Sequence, residues 1–183
     1  MAVVVGSLRR ESFNRRVAQA AIEFAPPSLE FHFTEIADLP LYNEDLERAT
    51  VPEAWTRFRA DIKTADAILF VTPEYNRSVP GGLKNAVDVG SRPYLSNVWN
   101  DKPAAIISVS TGAIGAFGAN HHLRQALTFV NAAVMPQPEA YIGGAKDLFG
   151  ADGKIANEGT RKFLERFTNA FGAWIERVRV RAP

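Results

Sequence analysis

Five consecutive apolar residues, Ala67-Ile68-Leu69-Phe70-Val71, lie between a helical pattern and a loop rich in proline and glycine. A strand without polar alternation must be covered on both faces, and that requires helices above and below a sheet. The β-branched run Ala2-Val3-Val4-Val5 and residues 104–109 have the same character. Residues 29–33 alternate as a further strand. A fifth, around Ala133-Val134 and Ala140-Tyr141-Ile142, is interrupted by Pro136 and Pro138. Proline removes a ladder donor, so this segment belongs at a sheet edge or carries an insertion.

Helical spacing fills the intervals. Val17, Ala20, Ala21 and Phe24 share one face ahead of Pro26-Pro27, which ends that helix. Trp55, Phe58, Ile62 and Ala65 share another, with Pro52 near its first turn, while residues 35–50 read as irregular. Leu83, Ala86 and Val87 mark a short helix, and Leu123, Ala126, Leu127 and Val130 a longer one. Phe163, Phe167, Ala170, Phe171, Trp174, Ile175 and Val178 form the stripe of a docked terminal helix. Strands alternating with helices imply right-handed crossovers and a parallel sheet. The chain of 183 residues shows no linker, repeat or low-complexity tract, so it reads as one domain over residues 1–183. The expected fold is α/β, a flavodoxin-like three-layer sandwich with a five-stranded parallel sheet in the order 2-1-3-4-5. Such sheets bind ligands beyond the carboxyl ends of their strands, here in the loops after Val5, Val71 and Val109.

Composition narrows what those loops can do. Lys and Arg total 21 against 20 Asp and Glu, which removes the bulk charge that drives non-specific binding to nucleic acid or an anionic membrane. Cysteine is absent, and with it disulfides, thiolate metal sites and a cysteine nucleophile. The first apolar run is too short for a signal peptide or a membrane span, so the expected location is cytoplasmic.

The loop Gly6-Ser7-Leu8-Arg9-Arg10-Glu11-Ser12-Phe13-Asn14 joins the first strand to its helix. Hydroxyls, an amide, Arg9 and the backbone N–H groups of a helix N-terminus suit a phosphate. Ser12 or Asn14 equally serves as a helix cap. The loop lacks the Gly-Lys-Ser/Thr ending of a nucleoside-triphosphate loop and the glycines of a dinucleotide fingerprint, which leaves a monophosphate.

After the third strand come Thr72-Pro73-Glu74-Tyr75-Asn76-Arg77-Ser78-Val79-Pro80-Gly81-Gly82-Leu83-Lys84-Asn85. Tyr75 among prolines offers a flat wall, and Asn76 with exposed amides offers edge hydrogen bonds, as a heteroaromatic ring requires. The same composition also fits a structural loop with its tyrosine packed on the core. Glu74 has no neighbouring proton donor that would make it a general base. Ser108 to Gly118 ends the fourth strand with glycines spaced G-x-x-G-x-x-G, which lets the backbone approach a flat ligand but is not a dinucleotide motif. Position 108 is serine, so no nucleophile elbow surrounds Ser110. His32, His121 and His122 lack metal-ligand spacing and read as surface or interface residues.

Gly6-Ser7-Leu8-Arg9 with Ser12-Phe13-Asn14, then Pro73-Glu74-Tyr75-Asn76 and Ser78 through Asp88, resemble the NADPH-dependent FMN reductase family. Within it they are most similar to the bacterial soluble quinone reductases also described as chromate reductases. The resemblance runs through His122-Leu123-Arg124-Gln125 and the terminal Phe/Trp helix. The chain opens directly on its first strand, without the few leading residues of the family pattern. The resemblance implies non-covalent FMN with NADPH or NADH as co-substrate. By motif match Ser7, Arg9, Ser12 and Asn14 would hold the phosphate with Phe13 close by. Pro73, Glu74, Tyr75 and Asn76 would line the isoalloxazine, and Ser110-Thr111-Gly112 would close its other side. It further implies a homodimer or homotetramer, with the stretch 121–134 apolar enough for an interface.

If flavin is bound, the cofactor carries the chemistry and no protein acid or base is needed. The expected activity is ping-pong transfer from NAD(P)H to a small-molecule acceptor, chiefly quinones, with chromate, azo or nitroaromatic compounds as side reactions. Arg92 would attract an anionic acceptor or a nicotinamide phosphate, or is simply a solvated side chain. The rivals are an FMN reductase that releases reduced flavin and a flavodoxin-type electron carrier. Such carriers tend to be acidic, and a net charge of +1 stands against that rival.

Overall fold

The computed structural model describes residues 1–179. In chain order the elements are β1 (Ala2–Val5), α1 (Phe13–Glu23), β2 (His32–Phe33), α2 (Glu44–Ala49), α3 (Glu53–Thr64) and β3 (Ile68–Thr72). There follow α4 (Gly81–Gly90), β4 (Pro103–Val109), α5 (Phe117–Phe129), β5 (Ala133–Val134), β6 (Ala140–Ile142) and α6 (Glu158–Arg179). The sheet is parallel in the order β2-β1-β3-β4-β5, with β6 also paired to β4.

Alternate residues of the central strands feed two separate cores, because successive side chains point to opposite faces of a sheet. Val3, Val5, Leu69, Val71, Ile107 and Val109 pack against Val17 and Ala21 of α1 and Leu164, Phe167, Phe171 and Ile175 of α6. Ala2, Val4, Ile68, Phe70 and Ile106 pack against Trp55, Phe58 and Ile62 of α3, Leu83 and Val87 of α4, and Leu123 and Leu127 of α5. The three-layer sandwich expected from the doubly apolar strands is the one observed. Among the described residues no helix is long and apolar enough to cross a membrane.

The sheet departs from five strands at its far edge. Pro103↔Ala133 and Ala104↔Val134 place β5 beside the start of β4, and Ile107↔Ala140 to Val109↔Ile142 place β6 beside its end. Pro136 and Pro138 fall between the two, so the edge strand is split where its donors are missing. The other edge is shorter than the alternation of residues 29–33 implies. Leu29 N–H closes a turn onto Pro26 O, and pairing begins only at His32. Residues 35–50 are also not wholly irregular, since they contain α2. None of its side chains is buried, so it carries no apolar stripe to read. Asn43 caps it, three acidic residues occupy its first turn, and Glu47 pairs with Arg59 of α3 where both side chains are largely covered.

Asn85 secures the segment before α2. It is buried, it donates to Leu39 O (3.2 Å) and Pro40 O (3.0 Å), and it accepts from Tyr42 N (2.8 Å). Asn85→Ala leaves these backbone groups unpaired and is expected to cost about 1–3 kcal/mol. A fall in the urea midpoint at unchanged slope checks this.

Candidate functional site

The turns after β1, β3 and β4 lie together at the carboxyl edge of the sheet. Gly6 N–H continues the β1–β3 ladder onto Val71 O (2.8 Å), and Leu8 reaches across to Gly82 at the start of α4. Ser12 adopts an extended backbone and its Oγ accepts from Arg15 N (3.2 Å), so the capping role left open by the sequence belongs to Ser12. No acidic side chain stands in the first turn of α1 to neutralise its positive end. Asn14, on that same turn, is buried, and its Oδ1 finds no partner among the described residues. Ser7 and Phe13 are half-buried, and Arg9 and Arg10 are exposed.

The turn after β3 folds into a tight hairpin. Tyr75 and Ser78 exchange both backbone hydrogen bonds (2.9 and 3.0 Å), with Asn76 and Arg77 at φ +52° and +65° between them. Positive φ at both central residues is the primed turn of a two-residue hairpin, and asparagine tolerates it well. Pro73 is buried beneath this hairpin, whereas Tyr75 is 46% exposed, so the tyrosine does not pack on the core. The Glu74 carboxylate turns inward: Oε2 accepts from Ala119 N (3.0 Å) and Oε1 pairs with Arg77 (3.3 Å). It thereby supplies the N-terminal cap of α5, whose own cap position is Ala116 in a left-handed conformation. Ser78 Oγ meets His122 Nδ1 at 2.8 Å, a second tie between hairpin and helix.

The glycines after β4 divide in purpose. Gly115, at φ +60°, passes so close to β6 that a Cβ would stand 2.5 Å from the Tyr141 carbonyl carbon. At Gly118 a Cβ would meet Glu74 Oε2 at 2.9 Å. Both serve internal packing, whereas Thr111 and Gly112 are exposed beside half-buried Ser110, whose Oγ donates to Gly112 O (3.1 Å). A buried polar chain stiffens the turn from below. Ser108 Oγ donates to Gly115 O (2.7 Å) and accepts from Asn120 Nδ2 (3.2 Å), and Asn120 Oδ1 accepts from Arg124 Nε (2.9 Å).

Some features of this edge were not singled out in the sequence. Ile114 and Phe117 are 55% and 50% exposed beside the Thr111-Gly112 turn, and their signal is large apolar residues in a glycine loop. Phe117 packs on His121 and Tyr141, and His121 Nε2 lies 3.0 Å from the Tyr141 hydroxyl. Burial first, and the nearby Glu139 carboxylate next, push the Tyr141 phenol up to about 12. Arg92 stands apart from the three turns. It lines a groove of about 500 Å³ between α4 and α5, with Lys84, Asp88, His122, Gln125 and Phe129. Glu74→Ala is expected to lose the α5 cap at a cost of about 1 kcal/mol, with Glu74→Gln, which keeps an acceptor, losing less. Denaturation midpoints of the two variants check this.

The donor set of the first turn fits a monophosphate, and the exposed Tyr75 ring with the exposed Thr111-Gly112 turn fits a flat ring system. The family model for NADPH-dependent FMN reductase matches residues 1–147. A quinone reductase of Pseudomonas putida is 60% identical over 176 residues, covering 96% of this chain and 94% of that protein. A 2-hydroxy-1,4-benzoquinone reductase of a Burkholderia species is 47% identical over 180 residues, covering 98% of each. The solved structure of FerB, a flavoenzyme NAD(P)H:acceptor oxidoreductase from Paracoccus denitrificans, superposes with a TM-score of 0.90 at 46% identity, covering 96% of each chain. With the motifs, the fold and these relatives in agreement, the chain belongs to the NADPH-dependent FMN reductase family.

Proposed function

We propose that the chain acts as one FMN-binding domain over residues 1–183, taking hydride from NAD(P)H and reducing quinones or similar small acceptors. The observation that carries this reading is the meeting of three turns at one sheet edge. One turn offers anion donors, one an exposed aromatic ring, and one an exposed stretch at Thr111 and Gly112. Ser7, Arg9, Ser12 and Asn14 hold the phosphate, with Phe13 packing the base of that turn against the core. Ser12 can accept from Arg15 N and still donate its own proton outward, so capping and phosphate binding are compatible. Pro73, Tyr75 and Asn76 line the ring, while Glu74 keeps their hairpin in place through α5. Ser110, Thr111 and Gly112 border the ring on the other side.

When bound, FMN supplies the hydride acceptor and donor that no side chain provides. The protein's own part is to bind, orient and leave one face of the ring open. Arg92, in the α4–α5 groove where Lys84 is already paired with Asp88, draws anionic acceptors toward that edge. The same groove ends in Phe129, 88% exposed, and the neighbouring loop presents Tyr94 and Leu95 at 81% and 92% exposure. Apolar side chains this bare support a homodimer or homotetramer, and a chain without cysteine supports a cytoplasmic location.

Purified protein incubated with FMN and desalted is expected to retain about one flavin per chain. That flavin should bleach on anaerobic addition of NADPH and regain its colour on addition of a quinone. Failure to retain flavin, or a flavin that NADPH cannot bleach, contradicts the reading. Asn14→Ala removes one hydrogen bond to a charged phosphate, about 1.5 kcal/mol or more, and is expected to raise the Kd for FMN about tenfold. Flavin fluorescence titration measures that rise.

A further inference from the structure

On the other side of the β1 turn, away from β3, a cleft of about 270 Å³ opens between that turn and the end of β2, sharing Ser7 and Arg9 with the proposed flavin-phosphate set. Ser7, Arg9, Arg10 and Arg15 form one wall and residues 33–37 the other. Arg15 is fixed there, since both of its terminal nitrogens reach Glu35 Oε1 at 3.0 Å and its guanidinium lies over the Phe33 ring. That pairing consumes the single carboxylate among the cleft's residues. Ser7 and Arg9 also belong to the proposed flavin-phosphate set, so the uncommitted charge of the cleft is that of Arg10, which is exposed and forms no ion pair among the described residues. The far wall contributes Thr34, which is 3% exposed and whose Oγ1 finds no hydrogen-bond partner among the described residues. A buried hydroxyl without a partner is costly, and in a cation-rich cleft an anionic oxygen satisfies it.

We propose that this cleft is a second phosphomonoester site, and that it takes the 2′-phosphate of NADPH through Arg10, Arg15 and Thr34. The inference rests on the flavin reading above. An FMN whose ring lies on the β3 and β4 turns, with its phosphate on the N-terminus of α1, leaves the β2 side of the loop free. Among the reactants, the dinucleotide is the other phosphorylated molecule. NADPH differs from NADH only by a phosphomonoester on the adenosine ribose, and that is the group whose charge matches the cleft. The site sets co-substrate preference; it holds no reacting atom.

The test compares holoenzyme of wild type with Arg10→Ala and Thr34→Val, neither of which belongs to the proposed flavin set. Arg10→Ala is expected to lower the ratio of kcat/KM for NADPH to that for NADH about tenfold, the loss of one charge-assisted hydrogen bond, with the Kd for FMN unchanged. Thr34→Val is expected to shift the ratio in the same direction by a smaller factor. Adenosine 2′-monophosphate should raise the Tm of the wild-type holoenzyme, adenosine should not, and Arg10→Ala should lose the shift. An unchanged ratio with no thermal shift overturns the proposal while leaving the flavin reading intact. Equal losses for NADPH and NADH would assign the cleft to the pyrophosphate and overturn it. A weakened FMN affinity with an unmoved ratio would give the cleft to the flavin phosphate and likewise overturn it. Wild type that binds no FMN at all would instead remove the reading on which the proposal stands.

Discussion

With β1, β3 and β4 covered on both faces by helices, the sheet offers a ligand no open face, and whatever the protein binds must meet the ends of its strands. The carboxyl ends carry the three turns, with Tyr75, Thr111 and Gly112 exposed on them. Those turns hold their shape through contacts among themselves. Glu74 reaches to α5, Gly118 gives it room, and Ser108 with Asn120 anchors the backbone at Gly115. A site built in this way is rigid before any ligand arrives, which reduces the ordering cost of binding.

The sheet was largely legible because its signals are local. A run such as Ala67 to Val71, five apolar residues ending in a proline- and glycine-rich loop, reads as a doubly covered strand, and the helices between strands carry clear stripes. Elements without a buried face were not legible. α2 buries no side chain, so its helicity comes from the Asn43 cap, an acidic first turn and a long-range pair with Arg59, none of which gives a periodic pattern. The split of the edge into β5 and β6 was visible in Pro136 and Pro138, but not which half of β4 each piece would join.

At the site, the sequence located the turns better than it assigned their side chains. Tyr75 and Asn76 stand exposed on a hairpin, yet the hairpin depends on Asn76 and Arg77 both adopting positive φ, which residue type alone does not announce. Glu74 sits among its expected neighbours with its carboxylate facing α5, a partner 45 positions away. The glycines after β4 read as room for a ligand, but Gly115 and Gly118 make room for Tyr141 and Glu74. Thr34 gave no signal at all, because its unpartnered hydroxyl emerges only when the end of β2 is brought beside the β1 turn.

The account stands on one arrangement, a flavin mononucleotide with its phosphate on the first turn of α1 and its ring between the β3 and β4 turns. A crystal structure of the protein grown with FMN tests it most directly. The predicted result is phosphate oxygens within hydrogen-bonding distance of Ser12 and Asn14, with the ring edge along Tyr75 and the Thr111-Gly112 backbone. A flavin bound elsewhere on the surface, or these three turns closed against one another with no space for a planar ring, would contradict it.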